Sequence, residues 1–127
     1  MFTIFKMDKA NTPILKQYPA SSATFNVGEV AALDSGKITK VTGTNKPEFI
    51  VVEKGTKTTA DMVTVKPIYP DEEYITTLGA TGALTVGVKY TIGTDSATVT
   101  TTSTSGVATV VEAVGSAAGS PVIVKFD

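Results

Sequence analysis

The chain has 127 residues, 11 basic and 12 acidic side chains, and a formal net charge of -1. It contains no Cys, His or Trp, and every basic residue is a lysine. These absences exclude the common zinc sites and His-based triads, the usual general base near neutral pH, and the guanidinium fork that grips phosphate or carboxylate.

No enzyme activity, cofactor or metal is therefore expected. The balanced charge gives no basic face for nucleic acid. No long apolar run or signal-type start marks a membrane span or secretion, and no membrane partner is expected. A chain of this length buries roughly two-thirds of its unfolded surface and folds without staples. The lack of cysteine fits a reducing compartment.

Residues 1–24 read as an extended N-terminal arm. Phe2, Ile4 and Phe5 are apolar, and Pro13 and Pro19 discourage a continuous helix. Two fates are open to it. It packs on its own domain as an edge strand and a loop, or Phe2, Ile4, Phe5, Met7 and Tyr18 dock on a neighbouring protein by strand addition or pocket filling.

A first β unit is expected over 25–69. Glu29 to Leu33 makes a short strand, and Asp34-Ser35-Gly36-Lys37 carries turn chemistry. Ile38 to Thr42 alternates, and Gly43 to Pro47 is a loop. Phe49-Ile50-Val51-Val52 is a continuous apolar run, the mark of a strand covered on both faces. Met62 to Val65 gives a fourth strand, ending at Pro67.

Residues 70–82 read as a linker. Its acidic stretch Asp71-Glu72-Glu73 lacks the spacing and glycine of a calcium loop and reads as a solvated turn. Glu73 to Thr76 adds at most an edge strand. Gly79-Ala80-Thr81-Gly82 reads as a hinge, since no Lys-Ser/Thr follows it as in a phosphate loop.

A second β unit is expected over 83–127, with strands at Ala83–Ile92, Ala97–Thr102, Val107–Val114 and Val122–Phe126. Frequent threonine suits strands with one wet face. The second unit echoes the first in order. Val27-Gly28 returns as Val86-Gly87, Asp34-Ser35 as Asp95-Ser96, and Ile38-Thr39 as Val99-Thr100. Val51-Val52-Glu53 returns as Val110-Val111-Glu112, and Val63 to Lys66 as Val122 to Lys125. Two similarly built halves in tandem follow from this spacing. The fold class is all-β, a small barrel or sandwich preceded by the arm.

Val27-Gly28-Glu29, Leu33 to Lys37, Phe49 to Glu53 and Val65-Lys66-Pro67-Ile68 together resemble head decoration proteins of tailed bacteriophages, also called auxiliary, cement or capsid-stabilising proteins. Leu84-x-Val86-Gly87-x-x-Tyr90-x-Ile92 and Gly119-x-x-Val122-x-Val124-x-Phe126 are similar to the same group, so the likeness spans about residues 25–127. It implies a structural protein on the virion's capsid surface, made in the bacterial host cytoplasm. Its partner would be the major capsid protein, often at three-fold positions. The protein itself would be a homo-oligomer such as a trimer, or a monomer.

Each copy would bridge adjacent subunits, and contact between copies would raise effective affinity roughly 100- to 10,000-fold. A site present only after shell expansion would restrict binding to mature heads. Two other functions remain open: a β-sandwich adhesion or carbohydrate-binding module, and a head-fibre or tail component. Removal of residues 1–24 is expected to leave a folded body that no longer binds capsids.

Overall fold

Short β-branched runs cut by Gly, Pro and Asp give short strands, and the computed structural model, which describes residues 1–6 and 14–127, is built from them throughout. Among the described residues no helix forms. The first strands are β1 (Thr3–Lys6), β2 (Lys16–Pro19), β3 (Ala23–Phe25), β4 (Val30–Asp34) and β5 (Lys37–Lys40). Next come β6 (Phe49–Val51), β7 (Gly55–Lys57), β8 (Met62–Pro67) and β9 (Glu73–Leu78). The last are β10 (Lys89–Tyr90), β11 (Thr98–Val99), β12 (Ala108–Ala113) and β13 (Pro121–Lys125).

One sheet has the order β2-β8-β6-β4-β5. The other runs β1-β9-β13-β12-β10, with β11 added in parallel to β9, and β3 and β7 form a separate ribbon. The sheets stack as a sandwich. In each half one parallel rung curls an edge inward, Ala20 to Ile38 and Leu78 to Val99, without closing a barrel.

The first sheet is covered on both faces, as the apolar run at Phe49 required. Val30, Val41 and Ile50 face the core shared with the second sheet, alongside Phe2, Tyr74 and Phe126. Ala31, Phe49, Val51, Val63 and Val65 face the opposite way, against Ala20 and Phe25. Alternate residues of one strand thus serve two cores.

Several main-chain hydrogen bonds recur at matching positions in the two halves. The Gly28 amide donates to the Val51 carbonyl at 2.8 Å, and Gly87 to Val110 at 2.8 Å. Glu48 donates to Ala31 at 2.9 Å, and Val107 to Tyr90 at 3.0 Å. Ala20 donates to Asp61 at 3.0 Å, and Leu78 to Ser120 at 2.9 Å. Gly28 and Gly87 both sit at φ 86°, where a side chain would be strained. Ser35 and Ser96 take up φ 51° and 58° at matching turns. Ser35 and Gly36 together make the two-residue hairpin turn between β4 and β5, with both central residues at positive φ.

The repeat reaches further than the sequence motifs do. Lys16 to Pro19 pair with β8 in the register in which Tyr74 to Thr77 pair with β13. The first strand of one half is therefore β2, inside the expected arm, and that of the other is β9, inside the expected linker. β9 is no edge: it lies between β1 and β13, and its burial alternates strictly along all six residues. Of the two fates open to the arm, β1 takes the first and packs on its own domain. Because β1 and β2 are strands of the two sheets, residues 1–24 are not removable as a separate arm. Within the expected strand Ala83–Ile92 only β10 pairs as a strand, since Val86-Gly87 is a turn.

The halves do not meet as mirror images. The face of β4, β6 and β8 carrying Val30, Ile50 and Lys66 is buried by the second half. The matching face there carries Lys89, Thr109 and Lys125. Across the seam, the Val30 amide donates to Ser96 at 2.8 Å, and Gly43 and Ile92 exchange two hydrogen bonds of 2.9 Å.

Candidate functional site

The five residues offered for partner contact separate on folding. Phe2 is 2 % exposed and stacks edge-on against Phe126 with ring centroids 5.6 Å apart. Its amide donates to Gly28 at 2.8 Å, so it is a core residue and not a docking residue. Ile4 is half-buried against the same core. Tyr18 is half-buried and lies 5.3 Å from the Phe49 ring. Phe5 is 55 % exposed. Met7 lies outside the described residues.

Sequence reasoning missed other exposed apolar side chains. Ile14 and Leu15, just before β2, are exposed, as is Tyr69 after β8; Met62, opposite Pro19, is exposed at the far end of the β2–β8 ladder. They stand in loops or at strand ends, where no periodicity marks them. Together with Phe5 they form the candidate contact set. An open cleft of about 310 Å³ beside β4 and β5, lined by Leu33, Asp34, Thr39 and Lys46 among others, is a separate feature.

The acidic stretch is not a solvated turn throughout. Asp71 is exposed, but Glu72 is only 3 % exposed and pairs with Lys66, itself 2 % exposed. The Lys66 ammonium donates to Glu72 Oε1, to the Pro67 carbonyl at 2.6 Å and to the Tyr74 hydroxyl at 3.2 Å. Tyr74 donates to Glu72 Oε1 at 2.7 Å, and the Tyr69 amide donates to the same oxygen at 3.0 Å. The physical cause is the second half covering the β8 face that bears Lys66, which forces its charge to find an internal partner.

This ring of bonds is closed. Among the described residues, no buried side-chain nitrogen or oxygen lacks a partner. The Lys66 donors are spent inside the cluster, so the arrangement clamps the Tyr69–Glu72 turn onto β8. It offers no free base or nucleophile. No group of three His, Cys, Asp or Glu able to hold a metal occurs among the described residues.

Burial, and then the hydrogen bond to Glu72, push the Tyr74 hydroxyl well above the ordinary tyrosine range. The unfolded chain releases that proton near pH ~10. This contribution to stability is complete below about pH 10 and is lost as pH rises through the higher folded value. Tyr74→Phe is therefore expected to flatten the alkaline limb of the stability curve, read as urea midpoints from about pH 8 to about pH 11.

No protein-family model matches this chain, and no curated protein matches it.

Proposed function

We propose that this protein is a structural capsid decoration protein, which binds the outer surface of an assembled phage head and stabilises it by bridging neighbouring subunits of the major capsid protein. The observation that carries this reading is the series of strand-and-turn motifs, from Val27-Gly28 to Phe126, that resembles that group. The body suits the task physically. Two sheets joined by a shared core and main-chain hydrogen bonds resist deformation, and Phe5, Ile14 and Leu15 supply exposed apolar surface.

The test mixes purified protein with heads assembled in its absence and follows co-sedimentation and the temperature at which the heads rupture. Wild-type protein is expected to co-sediment and to raise that temperature. The double variant Phe5→Ser, Ile14→Ser is expected to bind about tenfold less tightly, the loss of ~1.4 kcal/mol at an interface anchor, with its own melting temperature unchanged. Heads that neither retain the protein nor gain heat resistance would sink the reading. Glycan binding without head binding would transfer it to the adhesion-module class.

A further inference from the structure

The two halves differ at one edge. In the second half the outer side of β9 carries β1, with Thr3 opposite Ile75, Ile4 opposite Tyr74 and Lys6 opposite Glu73. In the first half the corresponding positions are Gln17, Lys16 and Leu15. The Val52 amide donates to Thr64, so Thr64 turns toward β6, and Gln17 opposite it turns its own N–H and C=O away from β8. Continuing the alternation puts the same groups of Leu15 on that outer side. Among the described residues no strand lies beside Leu15 and Gln17; β5 meets this side only further along, at Ala20. Ile14 and Leu15 beside it are 67 % and 53 % exposed.

A bare edge with apolar flanks is a template for strand addition, and its own residues select the occupant. Two copies could pair antiparallel through this edge in three registers. One sets Lys16 against Lys16, and like charges directly opposite are destabilising. A second sets Leu15 against Pro19, and a third sets Leu15 against Leu15 and so Gln17 against Pro13; neither proline has an N–H to give. A second copy's β1 is held by Phe2 in its own core. This edge carries the exposed Lys16, which calls for an opposite charge across from it.

We propose that the outer edge of β2 accepts an extended segment of a different protein, apolar at alternate positions and carrying a carboxylate opposite Lys16. Such a site would serve a partner of that chemistry whether or not the protein braces a phage head.

The test uses the full chain and two acetylated peptides, Thr-Val-Thr-Glu-Thr-Val-Thr and its counterpart with Lys in place of Glu, at up to ~1 mM. Hydrogen exchange by NMR is the readout. In the free protein the Leu15 and Gln17 amides are expected to exchange fast while Glu73 and Ile75 are protected. The Glu peptide should protect Leu15 and Gln17, and the Lys peptide should bind about tenfold or more weakly. Lys16→Glu should reverse that preference. Gln17→Pro should abolish binding while Val63 and Val65, which face β2, stay protected and so report an intact sheet.

Four results would overturn the proposal. Leu15 and Gln17 could already be protected in the free monomer, or could become protected with concentration as a dimer forms. Neither peptide could bind saturably, or Gln17→Pro could bind as well as wild type.

Discussion

Phe2→Ala lowers the free energy of unfolding by about 3–5 kcal/mol, the usual cost of emptying a buried aromatic site. The ring is 2 % exposed and lies between Phe126 and the core shared by the two sheets. Its surroundings are paired strands, which cannot collapse into the space left behind. The loss is a large share of the ~5–15 kcal/mol that holds a typical domain folded. Phe5→Ala, at a side chain 55 % exposed, should change stability by no more than about 0.5 kcal/mol. Urea unfolding midpoints for the two variants give the comparison directly. Deleting residues 1–24 removes Phe2, β1, β2 and Ala20 together, and should abolish cooperative unfolding instead of yielding a trimmed, folded body.

Glu72→Ala should cost about 3–5 kcal/mol, because it strands the Lys66 ammonium in a site where that charge has no access to water. The same change orphans the Tyr69 amide and the Tyr74 hydroxyl, both of which give their hydrogen bonds to Glu72 Oε1. Asp71→Ala, one residue away and exposed, should be nearly silent. A double replacement, Lys66→Met with Glu72→Leu, should recover part of the loss, since it removes the desolvated charge along with its partner. Chemical denaturation of the three variants at neutral pH decides it. Equal effects for Asp71 and Glu72 would mean that the Lys66 cluster does not form.

The all-β class and the strands from Val30 to Pro67 were legible in the sequence because alternation, turn residues and the continuous run at Phe49 each point one way. The repeat was legible at its turns, where Gly28 and Gly87 need the same backbone. Its full extent was hidden by a compensation of volumes. The facing pair Ala31 and Phe49 in the first half becomes Tyr90 and Ala108 in the second, with the large ring moved to the other strand. The opening strands were hidden too, since Lys16-Gln17-Tyr18-Pro19 and Tyr74-Ile75-Thr76-Thr77 share a register but no identical residue at a matching position. The Lys66 cluster was invisible for another reason. Lys66 and Lys125 end the same Val-x-Val-Lys motif, yet one is buried and the other pairs with Asp127 near the surface at 3.4 Å. Only the stacking of the halves separates them. The candidate contact residues fared worst, because exposure at a strand end leaves no periodic trace.

That stacking has an end built into it. One half offers Val30 and Ile50 as a seat for the next, and the next presents Lys89, Thr109 and Lys125 where a third would have to rest. Asp127 ties this outer surface down, accepting from Thr109 at 2.7 Å and pairing with Lys125. Head-to-tail repetition of one interface otherwise tends toward open filaments. Here Lys89 and Lys125, with Thr109 bonded to Asp127 between them, offer no apolar seat for another copy, so this face is expected not to carry head-to-tail stacking of molecules.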